Sequence, residues 1–257
     1  NSPIFDLNAN GNSICIQDAN FINISTSALT SFNTGTNVEE FVMKNNKFNN
    51  VNSNNNNPLI NMGTVNNDFI FINNNFTNVG ASSGLIVSGS SKNYIVSNCS
   101  FNMVTSSLFN FYQGSKVIMA NNTFNNINLN YNYNLIYSNI NNTDISSSSF
   151  KNITLNGCAI IKIDTNGKFS NVHNLTLDNC KIGEGIVISA DDSSVKDIYF
   201  KDFVSNTDGG AVVIYTWRDV VENCTFINCS SASNGGAIYI TGQYNVSNNS
   251  TFIDCFS

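Results

Sequence analysis

The segment Asn223-Cys-Thr-Phe-Ile-Asn-Cys229 decides the fold, because its phrase, Asn-x-x-Phe-x-Asn followed by an apolar residue, returns along the whole chain. The central residue falls at Phe21, Phe48, Phe76, Phe101, Phe124, Phe150, Leu177, Phe200, Phe226 and Phe252, at spacings of 27, 28, 25, 23, 26, 27, 23, 26 and 26 residues. A period of this size marks a solenoid, in which each repeat buries its apolar side only against its neighbours. Taking each of these residues as an anchor, every other residue can be given a position before or after it.

Three before the anchor stand Asp18, Asn45, Asn73, Asn98, Asn121, Ser147, Asn174, Asp197, Asn223 and Asn249, and two after it Asn or Asp in every repeat except the fourth, which has Met103. Five before the anchor the residue is apolar, from Ile16, Met43, Phe71, Val96 and Met119 to Ile145, Val172, Val195 and Val221, breaking only at Ser247. Side chains on a straight strand alternate, so minus five and zero cannot face one core without a change of phase between them. The Asn/Asp columns supply it, since these residues tolerate the left-handed conformation of a tight corner. A second apolar run, such as Gly185-Ile-Val-Ile188 or Gly236-Ala-Ile-Tyr-Ile240, precedes most anchors, and the length varies in tracts such as 52–58 and 128–134. Each repeat therefore reads as three short strands, two Asn corners and one variable loop. The fold class is all-β: a right-handed parallel β-helix of about ten coils of 23–28 residues, with Asn corner ladders and a length of roughly 45–50 Å. Residues 1–257 form one such domain, expected to be a segment of a longer chain.

Composition agrees. There are 52 Asn, 2 Pro and a single Arg, yet 41% of residues are hydrophobic and regularly spaced, so a continuous core is affordable and disorder is not expected. A net charge of -6 without a Lys/Arg cluster excludes a nucleic-acid partner. No apolar run is long enough for a membrane span. Sustained helical periodicity is absent, so almost no helix is expected.

The phrase at 223–229 followed by Gly235-Gly-Ala-Ile238, with Gly209-Gly-Ala-Val212 before it, resembles the polymorphic-membrane-protein and adhesin-like β-helix repeats of cell surfaces. That resemblance covers about 205–257 and implies an extracellular, surface-exposed, often adhesive protein without a cofactor. The leading functional expectation is an extracellular structural or adhesive rod, not an enzyme. It displays loops and N-glycans to a carbohydrate or other cell-surface ligand, and associates or continues through its coil ends as a filament.

The β-helix also serves polysaccharide lyases and hydrolases, so fold does not decide function. Such an activity would require converging carboxylates. The candidates are Asp191 and Asp192, with Asp208 near; stacking places Lys168, Trp217 and Arg218 on the same edge, where Trp217 and Arg218 are candidate carbohydrate contacts. One histidine, His173, leaves no His-based triad or metal centre, and no metal or cofactor is expected. Cys229 and Cys255 share a column in consecutive coils and form the candidate disulfide, while Cys99, Cys180 and Cys224 fall at core positions. Of twelve Asn-x-Ser/Thr sequons, Asn75, Asn141 and Asn245 are expected to be open to glycosylation. Asn23, Asn152 and Asn228 occupy the plus-two corner, where amides turned into the ladder would leave no room for a sugar.

Overall fold

A computed structural model describes the chain except for residues 1–2, 8–10, 33–36, 55–56, 83, 130–132 and 165–167; the variable tracts 52–58 and 128–134 thus lie partly outside the described residues. The chain is a parallel β-solenoid. Ten anchor strands, from Asn20–Thr26 to Thr251–Ile253, pair in parallel to form one sheet. Nine steps between ten strands, at ~4.8 Å each, give a stack of about 43 Å. No helix long and apolar enough to cross a membrane is present among the described residues.

The register is the one the repeat dictates. All the anchors lie opposite one another, from Phe21↔Phe48 and Phe48↔Phe76 through Phe150↔Leu177 to Phe226↔Phe252. The minus-five residues form a second column, Ile16↔Met43 through Val195↔Val221 and Val221↔Ser247. The second apolar run makes a third, for example Phe109↔Ile136, Ile136↔Ile161 and Ile186↔Val212. The strand is continuous through the second and third columns in Ile60–Ile72 and Leu85–Ser97, whose pairing shifts register at bulges.

Three inward columns make one continuous core. The anchor rings stack face to face, with centroids 4.1 Å apart for Phe48–Phe76, 4.4 Å for Phe124–Phe150 and 5.0 Å for Phe226–Phe252. Stacked rings contribute about 0.5–1.5 kcal/mol per pair beyond their burial.

Every residue of both corner columns is left-handed, with φ of 48–58° at minus three and 51–56° at plus two. Their side chains point outward, and outside they form the ladder: Asn50 Nδ2 donates to Asn23 Oδ1 at 2.8 Å, Asn78 to Asn50 at 3.0 Å and Asn179 to Asn152 at 2.8 Å. The expected inward corner amides are therefore corrected. A residue in the left-handed region carries the chain around the bend with its Cβ on the convex side. Asn23 and Asn228 are exposed and Asn152 half-buried, each bonded along the ladder but not enclosed.

A buried ladder lies one residue later, at minus two. Asn46, Asn74 and Asn122 are almost wholly buried. Their Oδ1 atoms accept from the backbone N of Ala19, Asn46 and Cys99 (3.1, 3.0 and 3.0 Å), and their Nδ2 atoms donate to the carbonyls of Ile16, Met43 and Val96 (2.9, 2.9 and 3.1 Å). Leaving the corner, the backbone turns an N–H toward the core, and the amide of the next rung satisfies it. Each such Asn joins two rungs by two hydrogen bonds.

The Gly-Gly-Ala phrase has a backbone cause. Gly209 and Gly235 adopt φ of 67° and 66°. A Cβ on the following Gly210 would lie 1.7 Å from the Gly236 carbonyl oxygen, so only glycine lets these rungs approach.

Candidate functional site

The carboxylate edge sits on a third corner, eight residues before the anchor. Asn142, Phe169, Asp192, Arg218 and Tyr244 all have φ of 55–62°. For bulky residues this conformation costs on the order of 1–2 kcal/mol each. Their side chains are thrown outward for the same reason as at the Asn corners, and Phe169 and Tyr244 are 60% and 77% exposed; Trp217, one position before this corner, is 47% exposed. No run of Asn marks this column, so the repeat predicts two corners where the structure has three.

On this edge stacking unites Asp191, Asp192, Trp217 and Arg218 as anticipated. Arg218 grips Asp192 with both prongs, Nε to Oδ1 at 2.6 Å and the second nitrogen to Oδ2 at 3.0 Å, and approaches Asp191 Oδ2 at 3.8 Å. Asp191 Oδ1 also accepts from the Trp217 backbone N at 3.1 Å. The Arg218 hydrogen bond, then its charge and that of Lys168, hold the Asp192 carboxyl below the usual carboxylate range against an opposing desolvation effect. A proton donor to a leaving group requires the opposite shift.

Asp208 does not join them. It precedes Val212–Ile214 whereas Arg218 follows that strand, so the two lie at opposite ends of the third column. Its Oδ1 accepts from the Asn234 backbone N at 2.9 Å and from Asn234 Nδ2 at 3.0 Å. Hydrogen bonds from Ser233 and Asn234 keep its pKa low.

The acid with a raised pKa is Asp219, which is 1% exposed. Burial pushes it to about 6, with hydrogen bonds from the Ser193 N and the Thr216 hydroxyl opposing and Asp191 and Asp192 adding a smaller upward push. Asp219 belongs to a second inward ladder: Ser193 N donates to its Oδ1 at 2.8 Å, and its own N donates to Asn245 Oδ1 at 2.8 Å. Its role in this structure is to tie rungs together from inside the wall. Among the described residues no three His, Cys, Asp or Glu side chains group closely enough to hold a metal ion.

The sequons divide by their hydrogen bonds. Asn75 and Asn141 are exposed. Asn245 departs from the expectation of an open turn: it is half-buried, and its Nδ2, the atom a glycan would take, donates to the Thr216 carbonyl at 2.7 Å. The minus-seven position is an inward ladder position, like minus two.

Cys229 and Cys255 stack in adjacent rungs, joined through the Phe256 N to Cys229 O hydrogen bond at 3.1 Å. Both thiols are free, as are Cys99, Cys180 and Cys224, which are buried. Burial, then the neighbouring Cys255, pushes the Cys229 thiol up to about 12, so it behaves as a small hydrophobe at neutral pH.

The chain matches no protein-family model, no curated protein and no solved structure.

Proposed function

We propose that this chain is a rigid rod of an extracellular structural or adhesive surface protein, whose work is to hold outward loops and side chains at fixed spacing. The observation that carries the reading is the unbroken register of ten anchors, with the buried amides of Asn46, Asn74 and Asn122 tying neighbouring rungs together. Such a stack is stiff, because each rung is fixed by its neighbours and bending would break paired buried groups. The Gly-Gly-Ala phrases and their resemblance to adhesin-like repeats support a surface location. The exposed sequons Asn75 and Asn141 provide places for glycans.

Assembly through the rung ends belongs to the same proposal. Ile240 and Phe252 extend columns that earlier rungs bury, yet Phe252 is 50% exposed. A rung of a neighbouring copy stacked on this face would bury it.

Antibody labelling of intact source cells tests the reading, with a polysaccharide-depolymerisation screen on the purified chain beside it. Surface labelling without depolymerisation is expected. Confinement to the cytosol would overturn the surface assignment. Depolymerisation abolished by Asp191→Asn or Asp192→Asn would replace the scaffold with a lyase or hydrolase.

A further inference from the structure

The outer face of the third column carries a cleft far from the Arg218 edge. Strand Ser107–Phe111 turns Phe109 and Phe111 into the core, so Asn110 between them faces outward. Register places Tyr137 beside Asn110 on the next rung, and Lys162 beside Tyr137 on the one after. Ser107, Asn110, Tyr112, Tyr133, Asn134 and Tyr137 enclose a cavity of about 160 Å³.

Three features of this cleft lack a structural explanation. Tyr112 and Tyr133 are 58% and 47% exposed, so both rings present aromatic surface to solvent. The Tyr112 and Tyr137 rings lie 5.1 Å apart and tilted by 48°, which forms a wall with open aromatic surface. Asn110 donates its Nδ2 to the Tyr112 hydroxyl at 3.0 Å, yet its buried Oδ1 has no hydrogen-bond partner. An acceptor withheld from both water and protein is costly unless something else supplies a donor.

The remaining polar atoms are largely fixed. Tyr137 donates its hydroxyl to Asp164 Oδ2 at 2.9 Å, Ser107 donates to the Asn134 carbonyl, and Asn134 Oδ1 accepts from the Ala159 N. Lys162 and Asp164, both on the following rung, offset one another in charge. What the cleft offers is aromatic faces, an orphaned carbonyl and no net charge.

The geometry points to a binding site for one ring of a neutral hexopyranose, with its C–H face against Tyr112 and Tyr137 and one hydroxyl donating to Asn110 Oδ1. Sugars present an apolar C–H face and a rim of hydroxyls, and an aromatic platform with a few placed polar groups complements both. Binding in this way requires the exposed Tyr112 or Tyr133 ring to shift so that Asn110 Oδ1 opens to the ligand. This inference rests on the display reading and names the ligand class it would serve.

Saturation-transfer NMR on the intact chain tests it, with glucose, galactose, mannose and N-acetylglucosamine as separate probes and galacturonate as the charged comparison. Transfer to the ring protons of at least one neutral sugar is expected. Tyr112→Ala and Asn110→Ala should each weaken binding by about tenfold, the effect of losing one well-placed contact, while Trp217→Ala leaves it unchanged. Tyr133→Ala, which removes the opposite wall, replaces Tyr112→Ala if the latter lowers the melting temperature. Absence of transfer to every neutral sugar, preference for galacturonate, or binding unchanged in the cleft variants would overturn the site. If intact cells are labelled at their surface but no sugar binds, only this inference falls; loss of binding in Trp217→Ala alone overturns it by moving the ligand to the Arg218 edge.

Discussion

Replacing Asp219 by Asn should stabilise the protein at neutral pH and do so much less in acid. Asp219 is buried with a pKa near 6 instead of 3.8, so the folded chain holds a proton that the unfolded chain releases between those values. A raised carboxyl pKa makes stability fall as pH rises from about 4 to about 6 and stay low above it. A displacement of this size corresponds to about 3 kcal/mol. The substituted amide would keep an acceptor for the Ser193 N and lose the charge. Asn245, one rung on, also shows what the new donor would do: there Nδ2 reaches the carbonyl of Thr216, and the equivalent carbonyl below Asp219 is that of Ala190. Urea unfolding followed by Trp217 fluorescence at pH 4.5 and 7.5, on wild type and Asp219→Asn, measures the difference while cancelling the other carboxylates. A gain of about 1–3 kcal/mol at the higher pH, falling to about a third of that at the lower, is expected. A variant that is less stable at pH 7.5, or that differs equally at both, would refute the argument that burial of this carboxylate is the dominant effect.

Phe226, fully buried between Phe200 and Phe252 at 4.9 and 5.0 Å, should cost about 3–5 kcal/mol when replaced by Ala in a denaturant titration, and a loss below about 1 kcal/mol would remove the anchor column from the core. Asn74→Ala should cost about 2–4 kcal/mol by the same measurement, since it strands the Asn46 N and the Met43 carbonyl in the interior. Met103 holds φ of 53° with its side chain 45% exposed in a column otherwise Asn or Asp, so Met103→Asn should stabilise by about 1 kcal/mol, and Met103→Ala should not. In glycopeptide mass spectrometry after secretion from a glycosylating host, sugar is expected on Asn75 and Asn141, whereas full occupancy at Asn245 would contradict its bond to Thr216.

The spacing of Phe21 to Phe252 was enough to give the strand class, the parallel register and ten stacked anchors, because stacking in register is the only way so regular an apolar column can be buried. It also placed Asp191 and Asp192 beside Arg218, since equal distance from an anchor means adjacency along the stack. The corner conformation at minus three and plus two was likewise legible, as few residues other than Asn, Asp and Gly tolerate it. Which way the corner side chains point was not legible. The left-handed bend sends the Asn columns outward, and the backbone N–H groups it turns inward need the amides of Asn46, Asn74 and Asn122 one position later. That column also contains Ala19, Cys99, Leu175 and Ile198, so composition gave it no signature. The third corner was hidden because Phe169, Arg218 and Tyr244 adopt the left-handed conformation within the stack and have no such preference themselves. Burial of Asp219, separation of Asp208 from the Arg218 edge, and convergence of Tyr112, Tyr133 and Tyr137 depend on how each loop closes over the sheet. Periodicity constrains what stacks above what; only the folded backbone decides which side of the wall each side chain occupies.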